Sequence, residues 1–278
     1  MRTQLVQGIP IAYREVGEGT PLLLIHGWQG DHRYMMADLE PVFDDEPGAG
    51  RWRRIYIDLP GHGRTPAPSW LGAQHQVISV LRDLIDALIG PTRFAVAGNS
   101  YGGYLSLALV RSLPSQLLGA ALLVPDLPDE HGDRNAPAPQ TLIHAPDAFA
   151  DLSPDEGWIP AALVEQSPLA LEQIRAHDMP SIRDADQKYL SRLNQHYLLP
   201  TALARPGAAF ARPSLILTGR QDATVGYRAA WGLLDELPRA TYATLDLAGH
   251  WLGRVERPGP FHTLVRDWLE RMVAWEPQ

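Results

Sequence analysis

The sequence predicts an α/β protein: one mostly parallel sheet with helices on both faces and a helical insertion past its middle. Three observations predict it. Short apolar runs, PLLLIH, RFAVAGN and QLLGAALLVPD, lack polar alternation and read as strands buried on both sides. Segments with helical spacing lie between such runs, the order that builds a parallel sheet. After Asp126 this rhythm stops, and no clear strand follows until RPSLILTG at 212–219. The chain therefore divides into a first core part (1–125), a cap inserted at 126–212, and a second core part (213–278).

In chain order, LVQ and IPIAYREV read as two short antiparallel strands turning at Gly8, followed by PLLLIH as a central strand. RRIYID (53–58) is the next strand. From Gln74 to Ile89 the apolar residues Val77, Leu81, Leu84, Ile85 and Leu88 share one helical face. RFAVAGN (93–99) is a strand, YGGYLSLALVRSL a helix, and QLLGAALLVPD (116–126) a buried strand. Beyond the insertion come the strand in RPSLILTG, a helix over Tyr227–Leu237, the strand ATYATLDL (240–247), and a closing helix from about Pro258 to Trp275. No internal repeat is visible, and the Pro/Ala-rich RNAPAP at 134–139 reads as loop.

A chain of 278 residues, 45% of them hydrophobic, can bury a large core. Its net charge of −8, with no Lys/Arg block, argues against nucleic-acid binding. The absence of cysteine excludes disulfides and thiolate chemistry. The N-terminal MRTQLVQGIPIAYREVGEG carries no apolar signal core, and no apolar run is long enough to span a membrane. The expectation is a cytoplasmic enzyme acting on a small molecule, without nucleic-acid or membrane partners.

The segment GNSYG at 98–102 sits between a predicted strand and a predicted helix. A serine on such a tight turn presents its hydroxyl above the sheet edge, and Gly98, Gly102 and Gly103 keep the flanks small enough for close packing. The alternative reading of Ser100 is a helix cap. A serine alone is a weak nucleophile and needs a base and a group to orient that base. Asp222 follows the strand SLILTG, His250 follows ATLDL, and with parallel strands both reach the same sheet edge as Ser100. Asp126, after QLLGAALLVP, is the competing acid; it opens the Pro-rich entry to the cap, where a capping role suits it better. The turn HGWQGDH after the central strand can aim the Trp28 backbone N–H at the same edge, and Tyr101 supplies a second N–H for an oxyanion. His26 precedes the serine and fits a turn residue bonded to backbone, as does His62 in DLPGHGRTP.

HGW, DLPGHGRT, GNSYGG, LTGRQD and AGHW, in this order and spacing, resemble the α/β-hydrolase superfamily over nearly all of the chain except the cap. The resemblance implies an eight-stranded sheet and a helical lid after the sixth strand. It carries Ser100 over as nucleophile, Asp222 as acid, His250 as base, and Trp28 and Tyr101 as oxyanion donors, with no cofactor and no metal. A serine at the elbow separates this chain from relatives that place an aspartate there.

The expected chemistry is hydrolysis of a carboxylic ester, lactone or thioester of a small to medium hydrophobic molecule through an acyl-enzyme. GNS and GHW also resemble enzymes that hydrolyse carbon–carbon bonds in ring-cleavage products. Those relatives add a cap arginine, for which Arg175, Arg183 and Arg192 are undifferentiated here, and a tryptophan beside the base, a place Trp251 occupies. A third reading is a small-molecule receptor on the same fold. For the substrate pocket the sequence nominates Trp158, Tyr189 and Tyr197 in the cap, together with Trp251.

Overall fold

The computed structural model describes residues 1–44, 51–205 and 207–274. Eight strands, β1 (Arg2–Val6), β2 (Ile9–Val16), β3 (Thr20–Ile25), β4 (Trp52–Ile57), β5 (Phe94–Asn99), β6 (Leu117–Leu123), β7 (Ser214–Gly219) and β8 (Ala240–Leu245), form one sheet. Their order is β1-β2-β4-β3-β5-β6-β7-β8. β1 and β2 pair antiparallel, as do β2 and β4; every later pairing is parallel. Every residue of β5 and β7 is buried, which is why their sequences carry no polar alternation.

One face of the sheet is covered by α2 (Gln74–Leu88) and α3 (Tyr101–Ser112), whose Val77, Leu81, Leu84, Leu105 and Leu109 enter a common core. The other face packs against α1 (His32–Phe43) and α10 (Pro258–Ala274). Phe261, Val265, Trp268, Leu269 and Met272 recur on one side of α10 and are all buried, each worth about 1.5–3 kcal/mol of burial. The closing helix was expected to reach Trp275, which lies outside the described residues.

Between β6 and β7 the chain adds, among the described residues, no strand to the sheet. It carries α4 (Ile159–Ala162), α5 (Pro168–Gln173), a π-helical turn at Ile174–Asp178, α6 (Met179–Asp184), α7 (Gln187–Asn194) and α8 (Thr201–Ala204). Ile159, Leu163, Ala170, Leu171, Ile174 and Met179 form a small core of their own, apart from the two beneath.

Two elements differ from expectation. Helix α1 was not anticipated, because Pro41 lies inside it and several of its buried positions are polar, His32 and Asp38 among them. The helix expected over Tyr227–Leu237 is one α-turn, α9 (Arg228–Trp231), followed by a 3₁₀ turn at Gly232–Leu234. Gly232 weakens the helix and Pro238 ends the run, so only these two turns form.

Candidate active site

Ser100 occupies the single residue between β5 and α3. Its φ of 53° and ψ of −116° are unusual for a side chain with a Cβ. The turn is held from several directions: the Ser100 N–H donates to the Leu123 carbonyl at 2.8 Å, and the Ser100 carbonyl accepts from Tyr104 N–H at 3.1 Å and Asp126 N–H at 3.0 Å. Glycine is required on both sides. A Cβ at Gly98 would lie 2.1 Å from the Gly102 carbonyl oxygen, and one at Gly102 would lie 2.1 Å from that of Ile25. The backbone strain at the serine thus follows from packing a helix directly onto two strands.

Asp222 follows β7 and is fully buried. Oδ1 accepts the N–H groups of Thr224 at 2.8 Å and Val225 at 3.0 Å, while Oδ2 accepts from His250 Nδ1 at 2.8 Å. That bond fixes the imidazole so that Nε2 is the nitrogen left to take a proton. Burial by itself lowers the pKa of His250, but the Asp222 carboxylate, with the charges of Asp126 and Glu256, offsets it, and the net direction is upward. Ser100 and His250 line the same cavity, of about 550 Å³.

The cavity is also bounded by Gly27 and Trp28 from the turn after β3. A Cβ on Gly27 would come within 3.2 Å of Ser100 Cβ, so this turn runs directly against the serine. Among the described hydrogen bonds, neither the Trp28 N–H nor the Tyr101 N–H is used by a protein acceptor. Tyr101 opens α3, where unsatisfied N–H groups and the helix dipole favour negative charge. Its side chain points elsewhere: the hydroxyl donates to Gln74 Oε1 at 2.7 Å, and the ring meets Trp28 edge-on at 5.2 Å.

His26 and His62 are architectural. Nδ1 of His26 donates to the Gly27 carbonyl at 2.7 Å, and its Nε2 accepts the Leu59 N–H at 2.9 Å. Burial pushes its pKa down to about 4, so the ring is neutral at ordinary pH. His62 donates to the Pro60 carbonyl at 2.9 Å and lies 4.9 Å from the His26 ring. Asp126, the competing acid, is engaged by the Arg134 guanidinium and the Tyr197 hydroxyl. Asp31, His32 and Asp58 bring potential metal ligands within 4.8 Å of one another. Their donors and acceptors are used internally: Asp58 accepts from His32 N–H and Nδ1 and from Arg64 N–H, and Asp31 caps α1 while pairing with Arg33.

Of the four aromatic residues expected at the substrate, Trp158 and Trp251 line the cavity, their rings stacked at 5.8 Å. Tyr189 and Tyr197 do not line it. Tyr189 is fully buried on α7, with its ring against Gly61. Tyr197 is captured by an aromatic cluster, stacked on Tyr104 at 5.6 Å, with its hydroxyl taken by Asp126. Sequence reasoning also missed cavity residues. Tyr34 comes from the unanticipated α1, and Asp178 from the π-turn of the insertion. Asp178 accepts the Trp251 indole N–H at 3.0 Å and pairs with Arg254, which also pairs with Asp38 on α1. No local motif marks these residues, because their partners are remote in sequence.

Comparison with known proteins settles the family. The chain matches the family model for the alpha/beta hydrolase fold over residues 20–253. It belongs to that family. It is similar to a 2-hydroxy-6-oxo-6-(2'-aminophenyl)hexa-2,4-dienoic acid hydrolase of Metapseudomonas resinovorans, 24% identical over 280 residues, covering 95% of this chain and 89% of the relative. Over 104 residues, 36% of each chain, it is 33% identical to a pimeloyl-[acyl-carrier protein] methyl ester esterase of Legionella pneumophila (strain Paris). Among solved structures, an alpha/beta superfamily hydrolase from Oenococcus oeni PSU-1 superposes with a TM-score of 0.85 at 24% identity, covering 98% of this chain and 100% of that one. Among the described residues, no helix is long and apolar enough to cross a membrane.

Proposed function

We propose that this member of the alpha/beta hydrolase family is a serine hydrolase cleaving a carboxylic ester, lactone or thioester of a small to medium hydrophobic molecule. The observation that carries the reading is the shared cavity of Ser100, on its strained turn, and His250, whose Nδ1 is held by buried Asp222. In the proposed mechanism His250 Nε2 takes the Ser100 proton as Oγ attacks the carbonyl carbon. Asp222 keeps the imidazole oriented and stabilises its charged form. The Trp28 and Tyr101 N–H groups meet the developing oxyanion. His250 then gives its proton to the leaving group, and water, activated by the same imidazole, cleaves the acyl-enzyme. Residues 126–212 act as a cap that supplies Trp158 to the pocket wall.

The carbon–carbon bond reading is kept because a dienoic acid hydrolase is among the relatives and Trp251 stands beside the base. Its cap-arginine requirement finds no support. Arg175 is paired with Glu156, Arg183 with Asp155, and Arg192 donates to the Pro68 and Leu71 carbonyls; none of the three lines the cavity. The test is labelling with a fluorophosphonate alongside turnover of activated acyl esters, lactones and a ring-cleavage diketone. One labelled residue is expected, lost in Ser100→Ala together with at least about 10³-fold of ester turnover. Labelling that survives Ser100→Ala removes the nucleophile assignment. Diketone turnover a hundredfold above every ester replaces the ester reading.

A further inference from the structure

The cavity beside Ser100 has a chemical character that the nucleophile and base do not explain. Its lining contributes two carboxylates, Asp155 and Asp178, and, among the described residues, no lysine or arginine. Asp178 is buried and held in place from two sides, by the Trp251 indole and by Arg254. Arg254 does not neutralise it alone, because the same guanidinium also pairs with buried Asp38. Two carboxylates share one cation, and Asp178 is the one of the two that faces the cavity. Arg254 itself lies over the Tyr34 ring at 4.2 Å and is absent from the lining. Asp155 sits half-exposed, paired with an equally exposed Arg183. Ion pairs of that kind are loose and solvent-screened.

Four aromatic residues line the cavity, beside neutral polar ones such as Gln29, Asn99 and Thr224. Trp158 and Trp251 stack at 5.8 Å, and Trp28 and Tyr34 line the cavity from the core side. Aromatic faces attract cations. The net charge of −8 on the whole chain adds long-range repulsion of the same sign.

We infer that this cavity selects its substrate by charge, accepting neutral and ammonium-bearing esters and turning away those that carry a carboxylate. The inference rests on the ester-hydrolase reading above and narrows it. It also separates the chain from a dienoic acid hydrolase, whose substrate, as its name gives it, is itself an acid. One unit of repulsion at ~8 Å, in surroundings of effective dielectric ~30, corresponds to about tenfold in binding.

The experiment uses 4-nitrophenyl esters with acyl chains of equal length ending in tert-butyl, trimethylammonium or carboxylate, compared by kcat/KM at low ionic strength. The carboxylate ester is expected at least tenfold below the tert-butyl ester, and the trimethylammonium ester no lower than it. Asp155→Lys, a change at a half-exposed position, should raise the carboxylate-to-tert-butyl ratio by at least about tenfold. A carboxylate ester within tenfold of the neutral one, a trimethylammonium ester below it, or a ratio unmoved by Asp155→Lys overturns the charge assignment while leaving the ester reading standing. No turnover of any of the three, in protein that also resists the fluorophosphonate, removes the ester reading and this inference with it.

Discussion

Glu256 is a buried carboxylate next to the loop that carries His250, and its replacement by glutamine has a calculable effect. It ends the π-helical turn Leu252–Glu256, accepts the Val164 N–H of the insertion at 3.1 Å, and accepts the N–H of Gly249, the neighbour of His250. Burial pushes its pKa up from 4.5 to about 7, against the pull of these backbone N–H groups and with help from the Asp222 charge. Below about pH 4.5 folded and unfolded chains both hold the proton; above about 7 neither does. Between these limits only the folded chain does, so this contribution is fully present at low pH and is lost as pH rises through 7. At about 1.4 kcal/mol per pH unit the whole window is worth about 3 kcal/mol, and the interval from pH 5 to 8 about 2.5. Glu256→Gln does not titrate and keeps one acceptor oxygen, leaving one N–H poorly satisfied at about 1–3 kcal/mol at either pH. Urea unfolding of both proteins at pH 5 and pH 8 isolates the titration. Relative to wild type, the variant should be about 2.5 kcal/mol better off at pH 8 than at pH 5. A difference between the two proteins that stays constant within about 0.5 kcal/mol refutes the reasoning.

The acid and the elbow make further predictions. Asp222→Asn should lower kcat for an activated ester by about 10³–10⁴-fold, since the amide misorients the imidazole, whereas Asp126→Asn should lose less than about tenfold; steady-state kinetics of the two variants decide, and the reverse order moves the acid to the end of β6. Because His250 must be neutral to accept a proton and its pKa is raised, kcat/KM should fall as pH drops through a value above 6.5, and in Glu256→Gln that limb should move lower, since the Glu256 charge helps to raise it. Gly102→Ala should destabilise the fold by about 3 kcal/mol or more in urea unfolding, because its Cβ would meet the Ile25 carbonyl at 2.1 Å, while Gly259→Ala, with open space around it, should not.

What was legible in the sequence is what local chemistry dictates. The central strands could be read because burial on both faces leaves uninterrupted apolar runs, β1 and β2 from the turn at Gly8 between them, and the tight turn at Ser100 because glycines flank a serine between strand and helix. Helix α1 was illegible for the opposite reason. Its polar residues are held by distant partners, Asp38 by Arg254 and Glu40 by Arg54 and Tyr56, so no apolar stripe stands out. The cap aromatics show the same limit. Trp158 and Tyr197 look alike in an insertion of short helices, and only tertiary packing sends one to the cavity and the other to Tyr104 and Asp126.

Asp178 carries this furthest. Its sequence neighbourhood, RAHDMP, offers no motif, yet it joins the π-turn of the insertion to the π-turn after His250 through Trp251 and Arg254. Such turns arise where one extra residue is accommodated within a helix, and they recur at functional sites because the displaced backbone re-aims a side chain. Here the two re-aimed segments meet at one carboxylate on the cavity wall. The proposed reacting residues follow from strand ends, whereas the cavity wall depends on how the insertion seats against the core. That contact is written in pairs such as Asp178 with Arg254, 76 positions apart, and becomes visible only once the chain is folded.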